Sequence, residues 1–103
     1  MANTPEGKVK DKIKKILARH NIYYAMPHGA GFGNAGVPDF LCCWKGKFVA
    51  IEAKANGGKT TALQNKHLDE IEKTGGITWV INEINVEMFD AFLKIGIGVD
   101  KDG

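Results

Sequence analysis

The stretch DFLCCWKGKFVAIEAK, residues 39–54, decides how the rest of the chain is read. It contains two apolar runs, residues 39–44 and 47–53, separated by Lys45-Gly46. Two strand-forming runs divided by a two-residue break ending in glycine predict a tight β-hairpin. If the turn is centred between Lys45 and Gly46, Trp44 opposes Lys47, and counting outward brings Asp39 opposite Glu52. Directly opposed residues share a face of the sheet, with Cβ atoms about 4.5–5.5 Å apart. Lys54 lies two residues beyond Glu52 and falls on the same face. The hairpin therefore predicts two carboxylates and an ammonium together at one end of a sheet.

The flanking sequence supplies the remaining elements. Upstream, Thr4-Pro5-Glu6 reads as a helix start, with Thr4 as N-cap, Pro5 in the first position and Glu6 at the positive end of the dipole. Val9, Ile13, Ile16 and Leu17 give that helix one apolar face, and it fades at His20-Asn21. Residues 22–26 are short and β-prone. Residues 27–36 carry four glycines, at 29, 31, 33 and 36, and form a loop that is mobile or approaches a ligand closely. Downstream, Asn56-Gly57-Gly58 breaks the chain. Thr60 or Thr61 caps a second helix over roughly residues 61–74, with Leu63, His67, Leu68 and Ile71 on one face. Gly75-Gly76 ends it. Residues 77–81 form a buried strand, and Asn85 caps a last helix bearing Met88, Phe89, Phe92 and Leu93. The order is α-β-β-β-α-β-α, in a single domain spanning residues 1–103 with a polar tail at 98–103.

Composition narrows the function classes. At 44% hydrophobic and 25% charged residues, the chain is an ordinary globular sequence. A net charge of +2 provides no global basic field, but Lys8, Lys10, Lys12, Lys14, Lys15 and Arg19 crowd the first helix. Such a stripe either meets phosphates or is a solvated helix face. Cys42 and Cys43 are adjacent, so on a strand they point to opposite faces. They are poor partners for each other, and the default reading is buried, apolar cysteines in a reducing compartment. No apolar run reaches the roughly 18 residues of a membrane span, and no signal peptide is visible. The expectation is a cytoplasmic protein, in a host or bacterial cell, with no membrane partner.

Like charges placed directly opposite destabilise a sheet, so Asp39 and Glu52 call for a shared proton or a cation. A few hard oxygen ligands suit Mg²⁺ or Mn²⁺. Lys54 beside them can orient or deprotonate a metal-bound water, or stabilise charge on a phosphate. This is apparatus for metal-assisted phosphoryl hydrolysis. The plainer alternative is a turn aspartate and a surface Glu52–Lys54 ion pair. Three features favour the catalytic reading: charge at the end of an apolar strand, Pro38 before Asp39, and the adjacent glycine-rich loop.

These residues carry a resemblance. Gly36-Val37-Pro38-Asp39 followed by Glu52-Ala53-Lys54 resembles the PD-(D/E)xK nuclease signature. The G-[VIL]-P-D form in so short a chain is most similar to the VRR-NUC family, often found as stand-alone virus or phage proteins. The resemblance covers residues 6–89. It implies a restriction-endonuclease-like αβββαβ core, a small mixed sheet flanked by helices. It also implies a Mg²⁺-dependent (or Mn²⁺-dependent) endonuclease that hydrolyses DNA phosphodiester bonds, leaves 5′-phosphates and serves repair or recombination. Asp39 and Glu52 would then hold the metal with the backbone carbonyl of Ala53. Glu6 on the first helix either completes the ligand set or only stabilises the helix dipole. Gln64 matches a glutamine that recurs after the E-x-K strand, although Leu68 stands where the related QxxxY form has tyrosine. Candidate DNA contacts are His28 in the glycine-rich loop, Lys59, and Lys8, Lys12 and Lys15 on the first helix. Some stand-alone relatives are junction-cleaving dimers, so the expected partner is DNA, branched DNA in particular, and the expected state a homodimer.

Two rival readings remain on the page. Residues 53–60 read A-x-x-x-x-G-K-T, a relaxed phosphate-loop pattern between a strand and a helix. Ala53 replaces the first glycine, and Glu52 would repel a triphosphate, so no nucleotide cofactor is expected. The other rival is a non-catalytic DNA-binding or interaction module on a nuclease fold. The intact set Asp39, Glu52 and Lys54 argues against decay of the site.

Overall fold

A computed structural model describes residues 4–27 and 35–96 of the 103-residue chain. The hairpin forms in the expected register. Strand β2 (Phe40–Trp44) pairs antiparallel with β3 (Lys47–Ala53), from Trp44↔Lys47 out to Phe40↔Ile51. The turn residues Lys45 and Gly46 have φ of 50° and 81°. Positive φ at both positions is the two-residue turn whose twist matches the strands, and glycine adopts it at no steric cost. That geometry locks the register on which the site depends.

Helix α1 (Pro5–Arg19) starts where capping chemistry places it, with Thr4 Oγ1 accepting from Gly7 N–H at 2.9 Å. A cap of this kind stabilises a helix by about 1 kcal/mol. Strand β1 (Tyr23–Ala25) pairs antiparallel with β2 and is one edge of the sheet. Helix α2 (Ala62–Lys73) connects β3 to β4 (Ile77–Ile81), which runs parallel to β3. Parallel neighbours need such a crossover. Helix α3 (Val86–Ile95) closes the described chain. The result is a four-stranded mixed α/β sheet in the order β1-β2-β3-β4, with three helices.

Alternation along the strands divides the sheet into two faces. On one face Phe40, Cys42, Trp44, Val49, Ile51, Ala53 and Ile81 form the main core with Val9, Ile13, Ile16 and Leu17 of α1 and Val86, Phe89 and Leu93 of α3. Each large side chain buried there contributes about 1.5–3 kcal/mol. Trp79 packs edge-on to Phe89 and against Phe92, with ring centroids 5.3 Å apart in both pairs. On the other face Ala50 and Glu52 are buried, while Tyr23, Cys43 and Phe48 are exposed.

Five expectations need correction. Strand β4 is mostly half-buried, with only Ile81 fully enclosed. Asn85 sits at the start of α3 without a side-chain cap bond, because its Oδ1 accepts from Asn82 N–H. Three side chains also lie elsewhere than expected. Cys43 is exposed and only Cys42 is buried, because the other sheet face is open at β1 and β2. Met88 does not face the core. It is 64% exposed, and the buried face of α3 is Val86, Phe89, Asp90 and Leu93. Asp90 takes an apolar position because three basic side chains converge on it: His20 Nε2 at 2.7 Å, Lys94 Nζ at 3.2 Å and Arg19 at 3.3 Å. Leu63, assigned to the inner face of α2, is 44% exposed. Among the described residues, no helix is long and apolar enough to cross a membrane.

Candidate active site

The site sits where the β2–β3 ladder stops. The last paired residues are Phe40 and Ile51, so Asp39 and Glu52 are the next opposed positions. Pro38 lies one step further out and has no N–H to offer a partner. The Asp39 side chain continues the pairing instead, with Oδ2 accepting from Ala53 N–H at 2.8 Å. On the other side of β3, Lys54 N–H donates to the carbonyl of Ile81 at 2.9 Å. The strand end is thus fixed from both sides.

Glu52 is buried, 3% exposed. Its Oε2 accepts from Gln64 Nε2 at 2.8 Å and lies 3.5 Å from Lys54 Nζ. Its Oε1 is buried with no hydrogen-bond partner among the described residues. Burial, and then the charge of Asp39, push the carboxyl up to about 7, against the opposing pull of Lys54. An unpartnered buried carboxylate oxygen costs free energy unless something else satisfies it.

Gln64 reaches Glu52 because of how α2 begins. Thr61 Oγ1 accepts from Gln64 N–H at 3.1 Å, and Gln64 Oε1 accepts from Thr61 N–H at 2.9 Å. This reciprocal capping box leaves the Gln64 amide nitrogen to donate to Glu52. Gly36, in the segment before Asp39, packs against the same helix start. Its φ is +83°, and a Cβ there would lie 2.6 Å from Leu63 Cγ. Leu68, one turn after Gln64, is buried and belongs to the packing of α2.

Glu6 lies near the set without completing it. Lys10, one turn later on α1, stands 3.5 Å from Glu6 Oε2 and 3.5 Å from Asp39 Oδ1. Among the described residues, no three histidine, cysteine, aspartate or glutamate side chains converge as a ready-made ligand set. Sequence reasoning counted Lys10 only within the basic run. Its bridging position requires knowing that α1 passes beside Asp39, just ahead of β2, which no local pattern gives.

The candidate DNA contacts are scattered. Lys8, Lys12 and Lys15 are exposed on α1, and Lys8 and Lys12 line a cavity of about 240 Å³ with Pro5, Val9, Asn56 and Glu83. Lys59 is exposed ahead of α2. His28 lies outside the described residues. Trp44, at the far end of the hairpin, is buried against Phe92 with centroids 5.1 Å apart, so it packs and is not displayed for stacking on bases. Comparison of the chain with models of known families, with curated proteins and with solved structures gives no match.

Proposed function

We propose that the chain is a Mg²⁺-dependent deoxyribonuclease of restriction-endonuclease-like fold and VRR-NUC type, an endonuclease acting on DNA phosphodiester bonds. The observation that carries this reading is the unequal use of the two oxygens of each strand carboxylate. Asp39 Oδ2 and Glu52 Oε2 are fixed by protein hydrogen bonds, whereas among the described residues Glu52 Oε1 has none and Asp39 Oδ1 has only an ammonium at 3.5 Å. A divalent cation fits this donor set. It would satisfy the bare oxygen and relieve the repulsion that helps raise Glu52.

Asp39 and Glu52 would hold the ion with the carbonyl of Ala53, and Glu6, now paired with Lys10, would join them only on leaving that pair. Bound Mg²⁺ would neutralise the carboxylates, lower the pKa of a water and offset charge on the phosphodiester. Lys54, 14% exposed beside Glu52, is placed to donate to a phosphate oxygen and to steady the attacking water. Gln64 keeps the Glu52 carboxylate in one orientation. Lys8, Lys12, Lys15, Lys59 and His28 would grip the backbone, so binding should weaken with salt. A homodimer would supply two sites and a footprint suited to branched DNA.

The test is cleavage of labelled duplex, single-stranded and four-way-junction DNA with Mg²⁺, Mn²⁺ or EDTA, for wild type, Asp39→Ala and Lys54→Ala. Cation-dependent cutting that both substitutions abolish supports the reading. A folded wild type that binds DNA and cuts none of the three would refute it in favour of a binding module.

A further inference from the structure

The site contains a cation for which the proposed chemistry has no role. Lys10 Nζ stands between Glu6 Oε2 and Asp39 Oδ1, 3.5 Å from each. Asp39 Oδ2 already accepts from Ala53 N–H, so Oδ1 is the oxygen left for a metal, and Lys10 lies against it. The Lys10 side chain is 30% exposed, so water screens both ion pairs and each is individually weak. Such contacts can be exchanged.

We propose that Lys10 is an exchangeable counter-ion. Its ammonium holds Glu6 and Asp39 together while no divalent cation is present. It yields Asp39 Oδ1 when the cation arrives, then turns to a phosphate of the DNA. This rests on the nuclease reading above. The physical ground is charge: an ammonium and a divalent cation repel strongly when both crowd one carboxylate oxygen. A displaced lysine on a half-exposed helix face beside a polyanion finds its next partner in phosphate. Lys10 is accordingly a positioning residue that couples cation entry to the grip on substrate.

Replacing Lys10 with methionine removes the charge and keeps an unbranched, helix-compatible stem. The first readout is Mn²⁺ binding by titration calorimetry without DNA, for wild type, Lys10→Met, Lys10→Arg and Asp39→Ala. Lys10→Met should bind Mn²⁺ roughly three- to tenfold more tightly, since no ammonium has to be displaced. Lys10→Arg should stay close to wild type. The second readout is affinity for a labelled duplex in Ca²⁺ across a salt series. There Lys10→Met should bind more weakly, with the log–log salt slope reduced by about one. If Lys10→Met does not fold, Lys10→Gln is equally neutral and replaces it. Unchanged or weaker Mn²⁺ binding on loss of the charge overturns the counter-ion role and leaves the nuclease reading standing. A wild type that binds no more Mn²⁺ than Asp39→Ala overturns both.

Discussion

Two buried carboxylates lie at opposite ends of the molecule and are treated in opposite ways. Asp90 belongs to the hairpin-tip end, where a cavity of about 440 Å³ is lined by its partners His20 and Lys94 together with Trp44 and Lys45. Its hydrogen bond to His20, supported by Lys94 and Arg19, holds the carboxyl below its ordinary value in spite of burial. Glu52, at the other end of β3, has among the described residues one lysine, one amide and one bare oxygen, and its carboxyl is raised to about 7. A buried acid supplied with several basic partners ties helices together. One left short of partners costs stability and retains the capacity to bind something else. On the nuclease reading, the difference separates a structural joint from a site.

The comparison can be broken by making the same change, carboxylate to amide, at both ends. The largest expected effect is on cleavage. Glu52→Gln should lower the rate on the preferred DNA by on the order of 10³-fold, while Asp90→Asn, assayed well below its Tm, should stay within about threefold of wild type. An equally deep loss in a folded Asp90→Asn protein would mean that the two ends do not differ in role. Stability should respond in the opposite sense. Asp90→Asn should lose about 2 kcal/mol, lowering Tm by roughly 8–16 °C, whereas Glu52→Gln should melt at or above the wild-type temperature. Thermal scans in EDTA read this directly.

The acid limb of the stability curve sharpens the contrast. A carboxyl whose folded pKa is depressed contributes stability that is fully present above its unfolded pKa of about 4 and lost as pH falls through the folded value. Wild type should therefore lose stability to urea below about pH 4, and Asp90→Asn should lose less of it over the same range. Parallel curves for the two proteins would contradict the assignment. Gly36→Ala should cost roughly 1–3 kcal/mol through backbone strain and the clash with Leu63, and should lower cleavage through the displaced start of α2. The smallest effect belongs to Lys59→Ala. It should leave Tm unchanged and flatten the salt dependence of DNA binding by about one unit of slope, measured by fluorescence anisotropy.

Much of this arrangement is legible in the sequence because its causes are local. The turn Lys45-Gly46 fixes the register, and that register alone puts Asp39 opposite Glu52. Thr60-Thr61 announces the start of α2, while Gln64 stands out only through the resemblance; that Thr61 is the cap and that the Gln64 amide meets Glu52 come from the structure. Two features were not legible. The Asp90 joint occupies an apolar position of α3 and makes sense only once the end of α1 is seen beside it. The bridge from Lys10 to Asp39 likewise depends on how a helix passes beside a residue far away in the chain. Met88 is assigned to the wrong face for the same reason, since without its partners Asp90 reads as a solvent position.

The capping box of α2 has a consequence for when activity can arise. Gln64 orients Glu52 only while its own Oε1 is held by Thr61 N–H, and that bond exists only when the first turn of α2 is wound. On the nuclease reading, a partly opened chain in which that turn has unwound can carry Asp39, Glu52 and Lys54 and still lack an aligned Glu52. Latency would then follow from the opening of one helical turn, and protection of Gln64 N–H against hydrogen exchange should rise and fall with cleavage activity as denaturant is titrated below the global transition.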